Sequence, residues 1–149
     1  MIKEEIKITG HVDIVVTDKN GNIKDTRSIK NLVLTTGKTF IAASMLKTTT
    51  NSPVAMTHMA IGSGTTAAAV GNTAMETQLA RVALASATSS GAVVTYTASF
   101  PAGTGTGAVT EAGTFNDASA GTMLCRTVFS VVNKGVDDAL SITWTITVS

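Results

Sequence analysis

Near its start the chain alternates in polarity, with Ile6 and Ile8 set against Lys7 and Thr9, then Val12, Ile14 and Val16 against Asp13 and Thr17. A period of two places one set on the buried face of a strand and the other set in water. Asn20-Gly21 ends the run. Both central residues of a type I′ turn need positive φ, so this dipeptide predicts a hairpin whose second strand runs over about residues 23–34. The period then changes. Phe40, Ile41, Met45 and Leu46 give an apolar side to a helix over residues 36–46, capped by Thr35 or Thr36. A helix this short is marginal alone and must pack on a sheet.

Beyond the polar loop "KTTTNSP", nearly everything reads as strand: "VAMTHMAIG", "VALASATSS", "AVVTYTASF", "GAVTEAGTFN", "TMLCRTVFSVV" and "LSITWTITVS". "AMETQLAR" fits a short helix or an irregular edge, and the Thr, Ala and Gly bias of residues 61–73 and 101–107 reads as loop. The last strand is the clearest element, with Ile142, Trp144, Ile146 and Val148 facing one way and Thr143, Thr145 and Thr147 the other. Phe40, Trp144 and Ile146 are therefore expected to anchor the core. Short strands separated by Gly, Asn, Asp and Ser turns predict an all-β, jelly-roll-like antiparallel β-sandwich with one short α-helix. Residues 1–30 are expected to form an N-terminal β-hairpin arm and residues 31–149 the sandwich domain, so that removing residues 1–28 should leave the domain folded.

Charge changes this picture in one respect. Only 14% of residues are charged, against about 25% in an ordinary globular protein, and the net charge is +1. That balance offers no electrostatic footprint for nucleic acid or an anionic membrane. Residues 82–110 carry no charge at all. Sheet proteins usually protect open edges with lysine, proline or inward charges, so uncharged strands are expected to be covered by other subunits. The one cysteine, Cys125, lies in a strand-like run and reads as a small buried apolar group. The first residues show no apolar core of signal-peptide length, and no stretch is long enough to cross a bilayer as a helix, which points to synthesis in a cytoplasm.

Candidate chemistry is sparse. "TTGKTF" ends like a phosphate-binding loop, but Leu32 stands where its first glycine belongs, and no later apolar strand ends in an acid to hold magnesium. "DKNGN" has the oxygens of a calcium loop, yet its glycine is fourth rather than sixth and Ile29 occupies the twelfth position. His11, His58 and Cys125 are too scattered to suggest zinc. No G-x-S-x-G elbow is present, and Glu76, Glu111, Asp117, Asp137 and Asp138 do not form a glycosidase pattern. The reading is a protein without catalytic, cofactor-binding or metal-binding residues. Arg81, Glu111 and Arg126 stand out because charge is so scarce around them. A buried arginine needs a partner, and Glu111 is the natural one for an ion pair that is either structural or between subunits.

The runs "MTHMAIGSGTTAAAVGNTAMETQLAR", "VTYTASFPAGTGTGAVTEAGTFNDASAGTMLCRTVF" and "ITWTITVS", in that order, resemble small virion structural proteins of tailed bacteriophages. The matching positions are residues 60–66, 73–81, 95–103, 111–116 and 121–129, with "NLVLTTGKTFIAASM" resembling the family's strand-to-helix joint. The likeness extends over about residues 30–149. It implies a non-enzymatic assembly role in a virion made in the host bacterial cytoplasm. A compact domain without a shaft, preceded by a charged hairpin, suits a capsid decoration or cement protein that binds across capsomers. Its partners would be copies of itself, in a trimer or other cyclic homo-oligomer, and the major capsid protein, with neither nucleic acid nor membrane involved. The alternative is a tail fibre or baseplate-associated module that recognises a host receptor through "SGTTAAAVGNT" and "PAGTGTG", next to tail proteins. A single Trp and a single Tyr give such a module little on which to stack a sugar.

Overall fold

The computed structural model describes residues 4–46 and 52–149. These form β1 (Ile8–Thr17), β2 (Ile23–Val33), α1 (Thr35–Ser44), β3 (His58–Gly62), β4 (Gln78–Ala83), β5 (Ser86–Ser90), β6 (Val93–Phe100), β7 (Gly107–Phe115), β8 (Met123–Lys134) and β9 (Ala139–Val148). Every pairing is antiparallel, and the strands form one sheet in the order β4-β3-β7-β8-β2-β1-β9-β6-β5. The antiparallel β class with one short helix is as expected.

The alternation at the start of the chain explains why β1 occupies the middle of this sheet. Val12, Ile14 and Val16 lie opposite Trp144, Ile142 and Leu140 of β9, which in turn lie opposite Tyr96, Ala98 and Phe100 of β6. Three apolar rows therefore cross three strands on one face, and all of these side chains except the half-buried Tyr96 are buried. The expected arm over residues 1–30 is corrected here. Residues 8–30 are not a projection, because a strand with three buried β-branched side chains has to be covered by the core, and β1 is hydrogen-bonded on both sides. Trp144 and Ile146 are core residues as expected, while Phe40 is half-buried against the same cluster.

The sheet curls into a half-barrel. β2 pairs with β1 as far as Asn31, then pairs with β8 at Leu32 and Val33. At the other extreme, β4 and β5 are the two end strands of the sheet, yet only Leu84 and Ala85 separate them in the chain. The Leu84 N–H donates to the Thr57 carbonyl at 2.8 Å beside β3, and the Ala85 N–H donates to Thr97 of β6 at 2.8 Å. The ends of the sheet are thus brought together at this corner. Met59, Ile61, Val109, Ala112, Cys125 and Val132 meet Val12, Ile14, Phe100 and Trp144 in one apolar cluster inside the curl.

Local chemistry departs from expectation in three places. The first hairpin turns over residues 18–22 rather than through a two-residue type I′ turn, because the Asp18 carboxylate accepts the N–H groups of Asn20 and Asn22 at 2.9 and 3.0 Å. Gly21 takes the one left-handed position, φ 81°. Second, neither threonine caps α1: Leu34 is at the N-cap, the Thr36 hydroxyl donates to the Met123 carbonyl at 2.7 Å, and the Thr35 N–H is satisfied by Val70 at 2.9 Å. Gly37 answers the question posed by Gly-Lys-Thr, since a Cβ there would run into the Leu124 carbonyl; the glycine lets the helix sit directly on β8. Third, Met45 and Leu46 are exposed, and only Phe40 and Ile41 of the expected apolar side pack on the core.

Two outcomes follow from this placement. Trp144→Ala removes the largest fully buried side chain and the hydrogen bond from its Nε1 to Asn31 Oδ1 (3.0 Å). A loss of about 3–5 kcal/mol is expected in urea unfolding. Deleting residues 1–28 removes β1 from between β2 and β9, so circular dichroism should show loss of the cooperative fold. A deletion variant that still melts cooperatively would restore the separate arm.

Candidate functional site

Glu111 of β7 lies opposite Gly62 of β3, and Arg126 of β8 lies opposite Gly113 of β7. Glycine at 62 and 64 leaves room for the Glu111 side chain beside the backbone. A Cβ on Gly62 or Gly64 would stand 2.5 or 2.6 Å from Glu111 Oε1. Glu111 is fully buried and Arg126 is 2% exposed. The Glu111 carboxylate accepts from the N–H groups of Gly64, Thr77 and Glu76 at 3.0, 2.7 and 3.1 Å. It also accepts from Arg126 Nε at 3.0 Å, and Nη2 of the same guanidinium lies 2.9 Å away in an ion pair. The remaining Arg126 donors reach Asn72 Oδ1 at 2.9 Å and the Thr66 carbonyl at 3.2 Å, with Glu76 Oε2 at 3.5 Å.

The consequence is a pinned loop. Residues 63–77 have no regular secondary structure, yet their backbone is tied at Gly64, Thr66, Glu76 and Thr77 to buried charge. Glu76 adds a second clasp by accepting both the N–H and the hydroxyl of Thr66, at 2.8 and 2.9 Å. That backbone N–H, above all, holds the Glu76 carboxyl below its ordinary range. Burying two charges costs several kcal/mol, and their pairing repays it only when further hydrogen bonds satisfy both groups; here each carboxylate oxygen and each guanidinium nitrogen has a partner.

No known protein family, curated protein or solved structure matches the chain. The site has to be read from its own residues.

Of the three residues singled out in the sequence, Glu111 and Arg126 form an ion pair within the chain, the structural alternative of the two. Arg81 goes elsewhere. Its guanidinium lies 3.6 Å from the centroid of the Phe115 ring and donates to Gln78 Oε1 and to the carbonyls of Asp117 and Ala120. It thereby ties β4 to the loop between β7 and β8. His11 hydrogen-bonds Asp13 and Ser28, and His58 hydrogen-bonds the Thr57 hydroxyl. Among the described residues no three His, Cys, Asp or Glu side chains converge on a metal position. Burial pushes the Cys125 thiol up to about 12, which leaves it protonated and unreactive at neutral pH.

A second buried charge went unrecognised in the sequence. Lys134 is 2% exposed, and its ammonium donates to the carbonyls of Asp138 (2.7 Å) and Pro101 (3.0 Å). Burial pushes its pKa down. Asp138 accepts from Lys24 at 2.5 Å and from the Gly135 N–H at 2.7 Å, and the Lys24 bond is the main cause of its lowered pKa. The signal was available in parity: Lys134 is two residues beyond the buried Val132 and shares its inward face. Finally, all of β5, with the uncharged sequence Ser-Ala-Thr-Ser-Ser, is exposed at the outer end of the sheet.

Glu111→Gln leaves Arg126 buried with its main counter-charge gone, and a loss of about 3–5 kcal/mol is expected in denaturant unfolding. Glu76→Gln, at a side chain 39% exposed, should cost below about 1 kcal/mol. Equal effects from the two substitutions would mean that the cluster is not organised around Glu111.

Proposed function

We propose that this chain is a non-enzymatic structural protein of a tailed-bacteriophage virion, a capsid decoration protein that binds across capsomers and cements the shell. The carrying observation is the ordered resemblance over about residues 30–149 to small virion structural proteins. Several of its blocks coincide with the parts that make the surface rigid: "GSGT" and "EAGTFN" supply the glycines and glutamate of the pinned loop, and "GTMLCRTVF" supplies its arginine. A cement protein works by burying surface between neighbours, so each copy adds binding free energy that opposes separation of the capsomers. Firm loops lose little entropy when they dock.

Self-association into a trimer or other cyclic oligomer is part of the proposal. It is supported by the exposed, uncharged β5, which carries neither the lysine nor the proline that usually guards an open edge. The finer architecture proposed is a jelly-roll-like sandwich, with β4-β3-β7-β8 facing β2-β1-β9-β6-β5. Its support is the larger apolar cluster, filled from both halves, and the two corners at which β2 and the β4–β5 segment pass between them.

Quantitative mass spectrometry of purified particles against their major capsid protein tests the role. Hundreds of copies per particle are expected for a cement protein. A handful, in multiples of three or six, would transfer the chain to the tail, and absence from the particle would overturn the virion reading.

A further inference from the structure

Where β2 changes partner, the structure opens a cleft of about 540 Å³, a volume within the usual range of ligand sites. β1 pairs with β9 from Ile8 onward but with β2 only from Gly10, whose partner is Asn31. Past Asn31, β2 turns to β8, and α1 follows. Ile8 and Thr9 consequently have a strand on one side and the cleft on the other. Lys7 and Ser149 exchange both backbone hydrogen bonds, at 2.6 and 2.8 Å. Because such pairs alternate along an antiparallel ladder, the N–H and C=O of Ile8 point away from β9 and into the cleft. On the far side of β9, the Val148 N–H is turned correspondingly outward, to Ala92.

The charges around this opening are of one sign. Lys30 and Lys38 line it, and Lys38 also lines the adjoining 440 Å³ recess with Lys7. All three are exposed, and none forms an ion pair among the described residues, in contrast to Lys24, Arg27 and Arg126. Among the described residues no carboxylate lines either space. Asp13, farther along β1, already accepts from Ser28 and His11.

We infer that this cleft binds an extended acidic peptide segment of a partner protein, which pairs with the free backbone of Ile8 while its carboxylates meet Lys7, Lys30 and Lys38. A free strand edge asks for a peptide backbone, and side chains of alternate residues then project to set specificity. The lysines are strung along two connected spaces rather than converging on one point, as a single phosphate would require. Among the described residues no Phe, Tyr or Trp lines the opening, and the one ring there, His11, is engaged by Asp13 and Ser28 rather than free to stack a nucleobase. The inference stands apart from the virion reading, since it depends on the cleft alone.

The test is titration of the full ¹⁵N-labelled chain with an end-blocked octapeptide of alternating glutamate and threonine. Saturable shifts of the Ile8, Thr9 and Lys38 amides are expected, with slowed hydrogen exchange at Ile8 that reports the new backbone bond. The glutamine counterpart should bind about tenfold or more weakly, as should the glutamate peptide to a Lys30→Glu, Lys38→Glu double variant with an unchanged melting temperature. The inference is overturned by absence of saturable shifts, by equal binding of the glutamine peptide, or by undiminished binding to the variant. Inorganic phosphate reproducing the same shifts and the same Ile8 protection would also overturn it, as that would define a simple anion site.

Discussion

A carboxylate taken out of water must find as many donors as water gave it. Glu111 finds them in three backbone N–H groups and the Arg126 Nε, with the rest of the guanidinium alongside. The three N–H groups belong to residues 64, 76 and 77, which lie at the two ends of one long connection. The charge therefore determines where that connection begins and ends. Arg126 holds its middle through Thr66 and Asn72, and the Val70 carbonyl in turn satisfies the first N–H of α1. The helix start, an irregular loop and two central strands thus share one electrostatic solution. Gly62 and Gly64 are part of it, because a side chain at either would displace the carboxylate.

The other half of the molecule is held by apolar rows, which impose a different kind of order. β1, β9 and β6 are in continuous register over most of their length, and their inward residues stack without interruption. Between the halves β2 makes a long ladder with β1 but only two residue pairs with β8. Arg27 bridges part of the remaining gap, donating from Nη1 and Nη2 to the carbonyls of Ser130 and Val131 at 3.1 Å each while Asp25 holds Nε and Nη2. The curl arises from this divergence together with the short corner at Leu84 and Ala85.

The strands were legible in the sequence because period-two alternation reports burial directly, most clearly in Val12 to Val16 and in Ile142 to Ile146. The partner of each strand was not. The charged residues on the outward face of β1 suggested a separate arm, although its inward face was as apolar as that of β9; charge on one face says nothing of what covers the other. Glu111 was found through the scarcity of charge around it, and an arginine was expected beside it, but the choice of Arg126 over Arg81 needed the register of β7 against β8, which no local pattern encodes. The basic cleft was invisible for the same reason. Lys7, Lys30 and Lys38 come together only through the switch of β2 from one neighbour to the next.

The pairing of β1 with β9 also governs the order in which the molecule can be made. β1 leaves the ribosome before the other eight strands, and the strand that completes its other side is the last of the nine. β2 can form a hairpin with it early, but two strands alone are not independently stable in water. While the strands between β1 and β9 are made, Val12, Ile14 and Val16 must wait on an unfinished surface, in a strand that offers neighbouring chains an open ladder. A nascent chain of this design depends on rapid completion or on a chaperone, and crowded polysomes are where it is most vulnerable to tangling with its own copies.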